Sequence, residues 1–371
     1  MKIKHKSLVA VRQIILLTVA SLAIWALLSF ISYAETDFTK MEAERKPLPI
    51  DAAISVVTPI DGWTKESYLD PDLPHLGVSF GSSVREIDAY QPLAGHQVDT
   101  ALIFKTWGNN KSLERLDLVN LTKRGVMPIL SWEPWDNLGS PQNQSEFRLD
   151  TIFTGEHDLY IQNWAREIAL LNFPIVIRFA HEMNGAWYPW SEQRNGNNNG
   201  DFVKAWRHVH QIFEAEGAQN VIWSWAPNVN RYLRNIPLSE LYPGDEFVDV
   251  IGFSGYSVSD IDDFETVFGS SFEELRQFTN KKVLITELGV GGSLASRPAR
   301  ILSLLSGLGN TNGVIGFVWF HKSKREDWRI DYSPSTLQAY REGSKAFYEA
   351  WATININRIS TSEGLSLLGF K

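Results

Sequence analysis

The chain contains no cysteine, so disulfides, a thiol nucleophile and thiolate metal sites are all excluded. It has no low-complexity tract, and no composition break divides residues 51–352 into separate domains. An excess of basic charge is missing as well: 35 Lys and Arg stand against 43 Asp and Glu, a net charge of −8. Phosphate backbones select basic surfaces, so nucleic acid is excluded as a partner. What the chain has in abundance is aromatic surface. Aromatic residues make up 12% of the 371 residues, and 14 of them are Trp. Such a composition suits a surface built for flat apolar faces.

The amino terminus carries a targeting pattern. Lys2, Lys4, Lys6 and Arg12 precede an uncharged run from Gln13 to Ala34 that closes on "SYA". A basic front, an apolar body and a small-residue ending fit an export signal. The run is also long enough to stay as a single membrane anchor. The basic flank then leaves the amino terminus inside and everything after Glu35 outside. The expected organisation is a signal peptide or anchor over 1–34, with 13–34 as a membrane tether if retained. A charged, Pro-containing linker follows over 35–50, then one domain over 51–352 and a tail over 353–371 without a readable motif. The protein is expected to be secreted or held on the outer side of the cytoplasmic membrane, and to be a monomer.

Within the domain, short apolar runs recur at 76–81, 99–104, 126–132, 174–182, 220–228, 248–256, 282–289 and 314–320. Helical patterns lie between them. Residues 159–172 carry apolar residues at helical spacing, and "DFVKAWRHVHQIFEAEG" runs from a capping Asp201 to Gly217 with a stripe of Phe202, Trp206, Val209 and Phe213. Alternating strands and helices imply parallel βαβ units. Eight units in about 300 residues match an α/β (β/α)8 TIM barrel in number and size; a doubly wound sheet is the structural competitor.

In such a barrel the chemistry sits at the carboxyl ends of the strands, and the unusual residues fall there. Trp107 follows the second strand; Trp132, Glu133 and Trp135 end the third. His181 and Glu182 end the fourth, followed by Asn184, Trp187, Tyr188 and Trp190. Asn228 closes the fifth, Tyr256 the sixth, Glu287 the seventh, and Trp319 the eighth. Glu182 shares strand parity with Ala180, and Glu287 with Ile285, so both are expected to aim at the barrel mouth. Arg178 has the same parity and is expected to pair with a rim carboxylate such as Glu133 or Glu287. Two carboxyls whose pKa values are pushed apart are the equipment for glycosidic bond cleavage. Trp and Tyr faces stack on sugar rings while amides and carboxylates meet the hydroxyls. No metal or other cofactor is called for. His208 and His210 diverge on one helix, and His181–Glu182 lacks the second His of a zinc motif. No Lys ends an assigned strand, which weakens an aldolase reading.

The strings "RFAHEMNGAWYPW" and "LITELG" resemble glycoside hydrolase family 26, a family of (β/α)8 β-mannanases and β-1,3-1,4-glucanases that act with retention. The resemblance covers roughly residues 51–352. It implies Glu182 as acid/base, Glu287 as nucleophile, and His181, Trp187, Tyr256 and Trp319 around the substrate. "NGAWYPW" looks closer to the glucanase branch. The expected activity is hydrolysis of a β-linked polysaccharide, β-mannan or mixed-linkage glucan. The substrate would lie along Trp107, Trp132, Trp135, Trp187 and Trp190, with Asn184 and Asn228 at its hydroxyls. The rival is a membrane-tethered, non-catalytic polysaccharide binder assisting exopolysaccharide assembly, which would not need two strand-end carboxylates.

Overall fold

The computed structural model describes residues 63–370, apart from 80, 82–83, 109–111, 142, 233–235 and 356–360. The expected export segment and linker lie outside the described residues. Eight parallel strand positions are present: β1 (His75–Ser79), β2 (Thr100–Thr106), β3 (Met127–Glu133), β4 (Ile175–Phe179) and β5 (Val221–Trp225) come first. They are followed by β6 (Val250–Ile251, resumed as Ser254–Ser257), β7 (Val283–Val290) and β8 (Val314–Phe320). Each strand pairs with its sequence neighbour, and β1 pairs with β8 from His75↔Gly316 to Ser79↔Phe320. That last pairing closes the sheet, so the architecture is a (β/α)8 barrel and not an open doubly wound sheet.

The strands read as continuous apolar runs because both of their faces are covered. One face fills the barrel interior with Leu102, Met127, Ile129, Val176, Ile222, Val250, Leu284 and Val318. The other packs Leu130, Trp132, Ile177, Phe179, Trp225, Ile285 and Trp319 against the surrounding helices. The stripe Phe202, Trp206, Val209 and Phe213 of the helix Asp201–Ala215 is fully buried in that outer layer. Asp201 is not the cap of this helix. Gly200, at φ 83°, occupies the cap, and Asp201 instead accepts a 2.8 Å bond from the Asn198 amide. Past residue 352 the chain forms a second helix, Thr361–Leu367, and the Leu368 carbonyl accepts from Gln97 N–H at 2.8 Å. Among the described residues no helix is long and apolar enough to cross a membrane.

Two irregularities position the chemistry, and both correct the simple parity argument. Ile285 faces the helices, so strict alternation would turn Glu287 outward too. Between Ile285 and Leu288, however, the register against β8 shifts, and the amides of Thr286 and Glu287 both donate to Phe253 O, at 3.0 and 3.2 Å. This bulge re-aims Glu287 into the mouth. β4, for its part, ends at Phe179, and a left-handed turn rather than strand parity directs Glu182.

The break in β6 falls at a glycine that neighbouring side chains crowd. A Cβ on Gly252 would lie 2.6 Å from Ser224 Oγ on β5 and 2.8 Å from Thr286 Cγ2 on β7. Gly252→Ala should therefore cost about 1–3 kcal/mol of stability through overpacking, read as a lowered midpoint in urea. A variant as stable as the parent would show that this approach is not constrained.

Candidate active site

Beyond Phe179 the backbone adopts φ of 45° at Ala180 and 54° at Glu182. Neither is glycine, and each such residue costs roughly 1–3 kcal/mol unless its surroundings impose it. They do: Ala180 N–H donates to Trp132 O at 3.0 Å and Glu182 N–H to Ala226 O at 2.7 Å. The turn is thus pinned to both neighbouring strands, and Glu182 is aimed across the barrel mouth. Asn184 locks the segment to the β5 loop through Nδ2 to Asn228 O (2.8 Å) and Asn228 N–H to Asn184 Oδ1 (2.9 Å). Its carboxamide is bonded to the backbone at both ends, so Asn184 positions the turn; Asn228 is half-buried beside it.

Glu287 lies opposite. Arg178, fully buried on β4, donates from Nη1 to Glu287 Oε1 at 2.6 Å and to Ser131 Oγ at 3.0 Å, and from Nη2 to Ser254 Oγ at 2.6 Å. Tyr256 OH donates to Glu287 Oε2. Both oxygens of Glu287 are held, and the carboxylate has a cation beside it. Among the described residues, Glu182 has no cation in contact. Burial first, then the Glu287 charge, push its carboxyl above the ordinary range, while Arg178 and the Trp187 N–H pull it back in part. Trp187 donates from Nε1 to Glu182 Oε2 at 2.7 Å. The indole reaches that position by folding over Gly185, where a Cβ would fall 2.4 Å from the ring.

His181, Glu182 and Glu287 bring ligand-type atoms within 4.8 Å of one another. This donor set fits a cation poorly. His181 has both ring nitrogens engaged, with Ser131 Oγ at 3.0 Å and Tyr188 OH at 3.2 Å, and Glu287 is engaged at both oxygens. Burial, then Arg178 and Lys324, hold the His181 imidazole well below its usual range, so it is neutral. The arrangement is an acid–base pair: one carboxyl pushed toward its protonated form, facing one clamped by a guanidinium. A third carboxyl, Glu133, is buried beside it and pushed up to about 7 by desolvation, against the Trp135 N–H bond of 3.1 Å.

The aromatic residues divide sharply. Trp187 is 39% exposed, and Trp135, Tyr188 and Tyr256 are half-buried at the mouth. Trp107 and Trp132 are not there. Both are buried in the outer layer, packed on each other at 4.9 Å and against Phe179, Tyr160 and Trp164. Trp132 has outward parity on β3, between the inward-facing Ser131 and Glu133. Trp319 is likewise fully buried against Tyr340 and forms no platform. Its Nε1 donates to Trp328 O at 2.7 Å. It thereby holds a loop that presents Trp328, half-buried, 4.7 Å from the Tyr256 ring. Trp190 is also fully buried, its Nε1 on His181 O at 2.6 Å, stacked under Tyr188 at 4.3 Å. Sequence reasoning missed Ser131, Ser254 and Trp328. The first two were detectable as small hydroxyls of inward parity in otherwise apolar strands.

A carboxyl pair across the mouth of a (β/α)8 barrel, ringed by aromatic faces, defines the class of barrel glycoside hydrolases. Residues 148–294, which include Glu182 and Glu287, match the family model Glycosyl hydrolase family 26. The chain is 31% identical over 268 residues to Endoglucanase H of Acetivibrio thermocellus, covering 69% of this chain and 28% of that protein. It is 23% identical over 134 residues to a mannan endo-1,4-beta-mannosidase of Bacillus subtilis, covering 35% and 34%. The chain thus spans about a third or less of the length of these curated relatives. A GH26 beta-mannanase structure from Bacteroides ovatus superposes with a TM-score of 0.57 at 16% identity, over 76% of this chain and 92% of that one. The chain belongs to glycosyl hydrolase family 26.

Two variants test the electrostatics. Trp187→Phe removes a donor to the Glu182 carboxylate, which favours the protonated form. The Glu182 midpoint, followed by carboxyl 13C NMR, should move to higher pH; movement to lower pH would contradict the assigned bond. Arg178→Met leaves a buried carboxylate without its cation and should destabilise the fold by about 3–5 kcal/mol in denaturant titration. Unchanged stability would mean that the Arg178–Glu287 pair carries little.

Proposed function

We propose that this protein is an exported, endo-acting retaining β-glycanase with Glu182 as acid/base and Glu287 as nucleophile. The observation that carries the reading is that one carboxyl oxygen of Glu182 and one of Glu287 lie within 4.8 Å of each other. Retention by double displacement needs carboxyls about 5–5.5 Å apart, whereas inversion needs about 6.5–9.5 Å to admit a water between them. In the first step a Glu287 oxygen attacks the anomeric carbon and the C–O bond to the leaving sugar breaks. Glu182 transfers its proton to that departing oxygen. Trp187 meanwhile holds Glu182 through Oε2. In the second step Glu182, now a carboxylate, takes a proton from water. The resulting hydroxyl displaces Glu287 and frees the sugar with its original anomeric configuration. Arg178, 2.6 Å from Glu287 Oε1, orients the carboxylate for attack. Tyr256, bonded to the attacking carboxylate, must release one oxygen as the glycosyl bond forms.

For the substrate we favour a β-1,3-1,4-linked glucan over β-mannan. What supports this is the longer likeness to an endoglucanase, covering 69% of the chain against 35% for the mannosidase, together with the "NGAWYPW" string. The basic, apolar and small-residue pattern over residues 1–34 supports export, with the enzyme secreted or anchored on the outer side of the cytoplasmic membrane.

The test separates the two carboxyls. Glu287→Ala should lower kcat on mixed-linkage glucan by at least about 10³-fold. Glu182→Ala should do the same on glucan, yet retain formation of the glycosyl-enzyme from an aryl glycoside whose leaving group needs no protonation. No turnover by the parent on any glucan or mannan, with binding retained, would favour the non-catalytic binder. Product of inverted configuration, seen by 1H NMR of the nascent anomer, would overturn retention.

A further inference from the structure

Two lysines stand at the mouth without a partner. Lys322 and Lys324 follow β8, and neither ammonium lies within ion-pair distance of a carboxylate among the described residues. Both are gathered over one pair of rings. Lys322 Nζ lies 4.6 Å from the Phe104 centroid and 5.3 Å from that of Phe320; Lys324 Nζ lies 5.9 and 5.1 Å from the same two. The rings meet edge to face at 6.4 Å. Phe104 packs on His181 at 5.9 Å and Phe320 on Tyr256 at 5.7 Å, so the pair bridges the acid/base side and the nucleophile side. The charges interact across the mouth: Lys322 feels Glu287 and Glu133, and Lys324 acts on Glu133 and His181.

Such a placement is unfavourable as it stands. Two like charges share one aromatic floor in a chain of net charge −8, where carboxylates to pair with are abundant. Burial, and then Lys324, lower the Lys322 ammonium's pKa from its usual range. Cation–π contact with the rings offsets part of this cost and fixes where the ammoniums point. The other buried cation of the mouth, Arg178, is already neutralised by Glu287. Lys322 and Lys324 therefore bring positive charge that no carboxylate contact neutralises among the described residues, gathered over rings that pack on His181 and Tyr256 beside the catalytic carboxyls.

We propose that Lys322 and Lys324 form a subsite for a carboxylate carried by the polysaccharide, so that the preferred substrate is an acidic glycan. This rests on the glycanase reading above and narrows it to a substrate class. The carboxylate has two possible sources: a uronic acid in the backbone, or an acidic substituent hung on a neutral sugar. In either case no bond changes at this subsite; the lysines bind charge that a neutral glucan does not bring.

The experiment compares three forms of one polymer: native mixed-linkage glucan, the same glucan partly oxidised at C6 to glucuronosyl residues, and the same glucan partly succinylated. The parent should show a higher kcat/KM on at least one acidic form than on native glucan. Preference for the oxidised form assigns a backbone uronate, and preference for the succinylated form a pendant acid. In Lys322→Met/Lys324→Met, the acidic-to-neutral ratio of kcat/KM should drop by about five- to tenfold, mostly through KM, as expected for loss of partly exposed ion pairs. The Arg double variant should restore it. An equal fall on all three polymers would overturn the proposal and assign the lysines to the electrostatics of Glu287. A parent that hydrolyses native glucan as well as both acidic forms would also overturn it, without touching the glycanase reading. If no form is hydrolysed, that reading fails instead. Affinity gel electrophoresis of the parent and the Met double variant in the same three polymers then decides the subsite, which is lost if the acidic gels retard both proteins equally.

Discussion

The mouth of this barrel is organised around one buried guanidinium. Arg178 leaves β4 and touches Ser131 on β3, Ser254 on β6 and Glu287 on β7. Four strands are thereby tied at the end where backbone pairing runs out. A charge placed there without partners would be prohibitively costly, and a carboxylate opposite it would be too. Each makes the other admissible. Stability and chemistry are consequently coupled at a single contact: the interaction that compensates the buried guanidinium also points the oxygens of Glu287. Around this contact the rest is arranged by exclusion. His181 is kept neutral, and Glu182 is left without a cation and drifts toward its protonated form.

The aromatic surplus serves two ends that composition does not distinguish. One group is structural. Trp107, Trp132, Trp164, Trp206, Trp225 and Trp319 fill the layer between strands and helices, where large flat side chains cover much area with few rotamers. The other group lines the mouth: Trp135, Trp187, Tyr188, Tyr256 and Trp328. The two are linked, because Trp319 and Trp190 use their indole N–H groups to hold the segments that present Trp328 and Tyr188.

This division explains what could be read from the sequence. All eight strand positions were legible because a strand covered on both faces is an apolar run, and the helices between them have the complementary period. Glu182 and Glu287 were legible because a carboxylate at the end of such a run conflicts with burial. The direction in which a strand-end residue points was not. Trp132 and Trp319 lie among inward-facing neighbours, and one position of parity sends them to the opposite side of the sheet. Nor was the route to Glu287 legible. Its orientation depends on a bulge against Phe253, a long-range backbone contact with no local residue signature. Trp328, eight residues past the end of β8, is placed by bonds to Lys322 and Trp319 and by packing on Tyr256.

The turn carrying Glu182 has a bearing on how such a site could be moved between scaffolds. Its left-handed residues are an alanine and a glutamate, types that do not choose that conformation themselves. The shape is imposed from outside by the carbonyls of Trp132 and Ala226, on the strands to either side. The string "HEMNG" is therefore only part of the device. Transplanted as a peptide it would relax into an ordinary loop, and the glutamate would lose its aim. A working graft would have to carry the ends of three adjacent strands, so the smallest portable unit of this chemistry is a sector of the barrel.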